Sequence, residues 1–211
     1  MINSNELYYL NNALDGDDIY GIASNRVFDI KATIKSLKEK QIINENGELN
    51  DLSYLILKNL EQYKKSKEYI WINDIALSCD NSNYLIFFKK YNTKENNEEF
   101  MFKKTTKELM LLSLVKEYEF LKESNIVKEI IDYISLDDFI EKYIRNISLE
   151  NRLFIKKVSG NSIKIYNIYY KENEFVYKYN VLNESRILMS AKEIRKELAQ
   201  ILGISMEDIN G

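Results

Sequence analysis

The loop "DGDDIYG" brings Asp15, Asp17 and Asp18 close together, and three carboxylates beside two glycines could in principle hold a hard cation. The spacing departs from a calcium-binding loop after Asp18, and no closing Glu follows, so the expectation is a solvated acidic loop. A second acidic group, Asp137, Asp138 and Glu141, opens the segment "SLDDFIEKYI". Negative charge there complements a helix dipole, which accounts for it without paired-acid catalysis. The chain has no histidine. That removes the commonest general base, the hydroxyl–imidazole and thiol–imidazole nucleophile pairs, and most zinc sites. The lone Cys79 has no partner for an internal disulfide and no imidazole to activate it, so a small core residue in a reducing compartment is expected. Gly16 and Gly21 are not followed by Lys-Ser/Thr, and neither a GxGxxG nor a GxSxG motif occurs. The sequence therefore predicts no catalytic residue, no cofactor, no metal and no enzymatic activity.

Attention then passes to partners. Net charge is −3, whereas nucleic-acid binders usually carry a basic excess that draws phosphate. Lys31, Lys35, Lys38 and Lys40 cluster on one segment but are offset by Asp29 and Glu39. No apolar run approaches the roughly 20 residues of a membrane helix, and Met1 to Leu14 lacks the pattern of a signal peptide. A cytoplasmic protein with no nucleic-acid partner and no membrane insertion is expected. The informative feature is aromatic: 16 Tyr and 9 Phe. Side chains alternate along a strand, so Phe175, Tyr177 and Tyr179 share one face of "EFVYKYNV". Likewise Tyr166 and Tyr170 share one face of "SIKIYNIYY". Tyr is enriched at interfaces, so Tyr166, Tyr170, Phe175, Tyr177 and Tyr179 are candidate partner-binding residues, with plain core as the competing reading.

The elements that position these residues follow from periodicity. Asn3 and Glu6 form a capping box before Leu7, Leu10 and Leu14. A second helix spans about Phe28 to Lys40, with Ile30, Ile34 and Leu37 on one side. After a turn at Asn46-Gly47, a third begins near Asn50 and is expected to bury Leu52, Leu55, Ile56, Leu60 and Tyr63. The period then shifts to two in "EYIWINDIALS", "NYLIFFKKY" and "FMFKK", three strands followed by a Thr-capped helix, "KELMLLSLVKEYEFLKES". "NIVKEIIDYI" fits strand or helix. Ser135 caps the next helix. A second meander, "RLFIKKV", "SIKIYNIYY", "EFVYKYNV" and "RILM", leads to a helix with the Ser190–Glu193 capping box, ending near Leu202 before Gly203.

Strands followed by a hydroxyl-capped helix occur twice, so the expected fold is α+β. Two antiparallel β-meander-plus-helix lobes are expected as a loose internal duplication, with the N-terminal helices packed against them. Connections this short demand antiparallel pairing. No proline or linker divides the chain, which reads as a single compact domain, 1–211, with lobes 1–123 and 124–211.

The stretch from Ile34 to about Tyr91 resembles the EspG-like chaperones of type VII (ESX) secretion and their short Gram-positive relatives. The likeness rests on "LKEKQIINENGEL", then "LSYLILKNLEQYKKS", then "YIWINDIAL". The family phrase has the form L-x-x-(K/R)-G-(I/L)-(I/L)-x-x-x-G-x-L, and Gln41 stands where many relatives have Gly. The resemblance implies a pseudo-twofold relation between the lobes. It also implies an accessory chaperone that binds a helical-hairpin secreted protein in the cytoplasm, as monomer or homodimer. It carries over no individual binding residue. The residues by themselves also leave open a winged-helix-like DNA-binding regulator, in which the helix from Ile34 would read DNA, and an immunity or antitoxin protein.

Overall fold

The computed structural model describes residues 1–22, 28–79, 84–92, 98–122 and 130–205, with the backbone path alone for 84–92. The strands are β1 (Ile2–Asn3), β2 (Glu68–Ile72), β3 (Ile75–Cys79), β4 (Tyr84–Asn92), β5 (Glu98–Thr106), β6 (Ile131–Tyr133), β7 (Arg152–Ser159), β8 (Ser162–Glu172), β9 (Phe175–Asn180) and β10 (Ser185–Leu188). The helices are α1 (Ser4–Asn11), α2 (Ile30–Glu39), α3 (Asp51–Lys64), α4 (Lys107–Glu117), α5 (Leu136–Lys142) and α6 (Ala191–Leu202).

The strands build one sheet in the order β1-β5-β4-β3-β2-β7-β8-β9-β10-β6, with antiparallel neighbours throughout. The two meanders meet at their first strands, with Tyr69 of β2 opposite Val158 of β7. From that seam each steps outwards and ends in a capped helix. Thr106 Oγ1 accepts the Leu109 N–H at 3.2 Å, and Ser190 Oγ accepts the Glu193 N–H at 3.2 Å. An approximate twofold axis between β2 and β7 therefore relates the lobes, as the family resemblance implies.

α4 and α6 lie together on one face of the sheet. Met110, Leu114, Ile194 and Leu198 pack there on Ile70, Ile72, Leu153 and Ile155, joining both lobes in one core. The opposite face is covered in two parts. α1, α2 and α3 cover the first meander through Leu7, Leu37, Leu60 and Tyr63. α5 covers the second through Phe139 and Tyr143.

The structure corrects several local expectations. "EYIWINDIALS" is a hairpin, not one strand: Asn73 takes φ 47° and closes a two-residue turn between Ile72 and Ile75. Asn tolerates the left-handed region, which makes the turn legible only in retrospect. The long helix after Thr106 stops at Glu117; Tyr118 is extended, and a 3₁₀ turn, Glu119–Leu121, follows. On α2 the buried side is Thr33 and Leu37, with Ile30 exposed. On α3 the buried set is Ser53, Leu57, Leu60 and Tyr63, while Leu52 and Leu55 are exposed. In the open segment, 131–133 is strand; the rest of "NIVKE" lies outside the described residues. The capping boxes at Asn3–Glu6 and Ser190–Glu193 and the left-handed Gly203 stand where the sequence put them.

Candidate protein-binding surface

The five aromatic candidates do not form one surface. β8 and β9 pair with Tyr170 opposite Tyr177 and Ile168 opposite Tyr179, so the residues do share a face. That face is the one α5 covers. Tyr170 and Tyr179 are fully buried. Phe139 of α5 stacks on Tyr179 with ring centroids 3.8 Å apart, and the Tyr179 hydroxyl donates to the Ile134 carbonyl at 2.9 Å. Tyr166 and Tyr177 are half-buried, and Phe175 at the strand end is exposed.

The aromatic layer is held by one cation that the sequence reading passed over. The Arg186 guanidinium lies 3.7 Å from the Tyr177 ring centroid and 4.3 Å from that of Tyr143. Its Nε donates to the Tyr170 hydroxyl at 2.5 Å, and Nη2 donates to Glu172 Oε2 at 2.6 Å. A cation sandwiched by tyrosines and paired with a carboxylate is satisfied on every side. This constellation is an internal clamp. Burial pushes the Tyr170 phenol up, against the opposing pull of Arg186.

The acidic loop is likewise occupied by its own chain. Asp15 pairs with Lys64 of α3, and Lys64 Nζ also donates to Asn11 Oδ1 at 2.8 Å. The lysine holds the Asp15 carboxyl below its ordinary value. Cys79 is partly buried beside the core shared by α4 and α6. Among the described residues, no group of three or more Cys, Asp or Glu stands close enough to hold a metal ion.

An uncovered apolar surface with a concave lining lies on α3. This helix carries apolar residues at 52, 54, 55, 56, 57, 60 and 63, a band wider than one buried stripe requires. Leu57, Leu60 and Tyr63 take the core; Leu52 remains 46% exposed and Leu55 56%. Together with Ile56, Met1, Met101 and Phe102 they line a groove of about 480 Å³ between α3 and the β1–β5 edge. Its polar end is a fixed network. Glu6, fully buried, accepts the Asn3 N–H at 2.8 Å, the Ser36 hydroxyl at 2.6 Å and Lys40 Nζ at 2.8 Å. Lys40 also reaches Glu99 at 3.8 Å. A buried carboxylate with three donors is rigid, and it fixes α1 against α2 beside the groove. The sequence signal that could have found this surface was the width of the α3 apolar band.

A second concavity, about 590 Å³, opens at the β2–β3 turn. Asn73 and Tyr118 form its wall: the Asn73 amide donates to the Tyr118 hydroxyl, and Asn73 Oδ1 accepts the Phe154 N–H at 2.9 Å. Burial, then the nearby Glu117 charge, pushes the Tyr118 phenol up to about 12.

Fold and surface together define a class: a two-lobed antiparallel α+β protein with an outer helical layer that leaves an apolar groove open. Within that class the chain belongs to the family described as Domain of unknown function (DUF5081), whose model matches residues 1–209. Among curated proteins no relative matches the chain. No described helix is long and apolar enough to cross a membrane.

Proposed function

We propose that this protein is a non-enzymatic, cytoplasmic binding module that holds a helical-hairpin secreted protein, acting as an accessory chaperone in type VII secretion. The observation that carries the reading is the α3 groove, where Leu52 and Leu55 stand exposed beside Met1 and Met101. Isolated exposed leucines are ordinary, but several lining one concavity favour an amphipathic helix as occupant. The resemblance to EspG-like chaperones supports the partner class. So does Gln41, which stands at the family's Gly position and has φ 55°, the left-handed conformation that glycine favours.

The DNA-binding alternative draws less support, because two of the four lysines it needs are held within the protein and a third stands beside a carboxylate. Lys35 pairs with Glu39 at 3.8 Å, Lys38 donates to the Glu45 carbonyl at 2.5 Å, and Lys40 is bound to Glu6.

The test is co-expression with a small helical-hairpin protein encoded beside the gene. Native protein should co-purify with it. The double substitution Leu52→Ser/Leu55→Ser should weaken binding at least tenfold while moving stability by no more than about 0.5 kcal/mol, as for surface sites. Full retention of the partner by the double variant would exclude the groove, and absence of any complex with native protein would remove the chaperone reading.

A further inference from the structure

Among the described residues the sheet ends at β6, and no further strand pairs with its outer edge. Hydrogen bonds run from the Leu188 N–H to the Ile130 carbonyl at 3.1 Å and from the Ile134 N–H to the Glu184 carbonyl at 3.0 Å. Residues 130 and 134 thus face β10 through their backbone groups, and so does Asp132, opposite Arg186. In an antiparallel ladder the intervening residues point the other way. The N–H and C=O groups of Ile131 and Tyr133 are therefore directed outwards, away from β10.

Edge strands are normally blunted by shortness, proline, lysine, inward charge or a bulge; β6 is three residues long and turns Asp132 towards Arg186, but has no other such device. Five residues, 130–134, run beside β10 without a proline or a lysine. The side chains are apolar and uncovered: Ile130 and Ile131 are exposed, and Tyr133 is 82% exposed. Ile131 and Tyr133 share one side of the strand, and Asp132 projects from the other, 3.9 Å from Arg186.

We propose that this edge accepts an extended segment of a partner protein as an added strand, with apolar residues beside Ile131 and Tyr133 and a lysine or arginine beside Asp132. The charge at the centre decides the class of occupant. Two copies of the chain pairing edge to edge about a dyad at residue 132 would set Asp132 against Asp132, and like charges directly opposite destabilise a strand pair; dyads at 131 or 133 would set it against Ile130 or Ile134, so no self-pairing register brings it a cation. An unlike chain carrying a basic residue gains there instead. Backbone bonds supply affinity and the alternating side chains supply selectivity. The site is separate from the α3 groove and does not rest on the chaperone reading.

The edge also supplies its own selective block. Because the Ile131 and Tyr133 N–H groups bond to nothing within the sheet, proline at either position removes an outward donor and spares the β10 ladder. The experiment pans phage-displayed random ten-residue peptides against the full chain, then measures Kd for the enriched peptide as a synthetic product. The expected winner alternates apolar residues around a Lys or Arg. Its Kd should rise at least tenfold in Ile131→Pro and Tyr133→Pro, at an unchanged thermal midpoint. If a proline variant melts early, Asp132→Lys replaces it; that variant should reject the basic peptide and accept its Lys→Glu counterpart. Three results would each overturn the proposal: no enrichment; peptides that bind the proline and Asp132→Lys variants as tightly as native; or a native dimer in sedimentation that Ile131→Pro dissolves.

Discussion

The same face of the sheet is covered in two different ways. Over the first meander lie three helices, α1, α2 and α3, whose core mixes aliphatic residues such as Leu7, Leu37 and Leu60 with an aromatic group, Tyr20, Tyr63, Tyr69 and Phe102. Over the second lies α5 alone, seven residues long. A helix that short cannot bury four strands with aliphatic side chains. The C-terminal lobe instead builds its layer from Phe139, Tyr143, Tyr170, Tyr177 and Tyr179, tied together by Arg186. Aromatic rings bury large areas per residue and offer hydroxyls to the one cation. The N-terminal lobe has the reverse surplus: α3 brings more apolar surface than the sheet can take up, and the excess lines the groove. The second lobe closes its covered face with internal contacts and keeps apolar surface only at its margin, at Ile131 and Tyr133; the first leaves an apolar groove open beside its covering helices.

The contrast breaks first at Phe139. Its ring is fully buried, stacked 3.8 Å from Tyr179 and 5.5 Å from Tyr170. Phe139→Ala should cost about 4 kcal/mol, by loss of burial plus an unfilled cavity. Denaturant melts would read it as a fall in midpoint at constant slope. A loss below about 1 kcal/mol would mean that α5 is not the lid of the second meander.

Arg186 comes next. Arg186→Gln removes the charge but keeps a polar side chain, leaving Glu172 without its partner and Tyr170 without its donor. The expected loss is about 3 kcal/mol, the range for breaking a largely buried ion pair. The double variant Arg186→Gln/Glu172→Gln should recover part of it, because the unpaired charge is then gone too. A double variant as unstable as the sum of the singles would show that the two groups act independently.

The layer shared by both lobes is probed by alkali. The folded protein holds the Tyr118 phenol neutral up to about 12, whereas an unfolded tyrosine ionises near 10. The folded pKa is the higher, so this contribution is complete below about pH 10 and is lost as pH rises through about 12. Its size is about 3 kcal/mol. Tyr118→Phe should be less stable than native at pH 8, having lost the Asn73 bond, and the gap should narrow as pH climbs past 10. Parallel curves across that range would mean that Tyr118 ionises alike folded and unfolded.

The two lobes also differed in what their sequences disclosed. The second meander is legible strand by strand, because Gly160 and Asn173 mark its turns and, past a bulge near Lys164, the 2.0 period runs on to Tyr170. In the first, Asn73-Asp74 interrupts a run that alternates on both sides, so one strand was read where two pair. The aromatic face was identified by parity, yet parity does not say what lies above it. Burial of Tyr170 and Tyr179 depends on α5, thirty and more residues away in sequence. Arg186 is hidden for the same reason: its partners, Asp132, Tyr143, Tyr170 and Glu172, come from three separate segments. The α3 groove was missed because an apolar residue on a helix was taken as buried. A periodic pattern cannot show that the sheet beneath runs out of room.

The smallest effect is expected at Gln41, the point where the family resemblance and the backbone meet. α2 ends with the Ile42 N–H bonded to the Leu37 carbonyl at 2.9 Å and the Gln41 N–H to the Lys38 carbonyl at 2.9 Å. This closing pattern needs a left-handed residue after the helix cap, and Gln41 supplies it at φ 55°. A side chain there costs about 1–2 kcal/mol of steric strain. Glycine removes the strain but gives back about 0.5–1 kcal/mol through the greater freedom of the unfolded chain. Gln41→Gly should therefore stabilise the protein by about 0.5–1 kcal/mol, raising the thermal midpoint by a few degrees. Because the Gln41 carbonyl also accepts from the Asn50 amide at 2.8 Å, which caps α3, the gain depends on the turn keeping its course. Gln41→Ala is the control. Alanine removes the long side chain but keeps Cβ, and should bring no such gain. If alanine stabilises as much as glycine, the benefit comes from the side chain rather than from φ, and the match between Gln41 and the family glycine loses its physical basis.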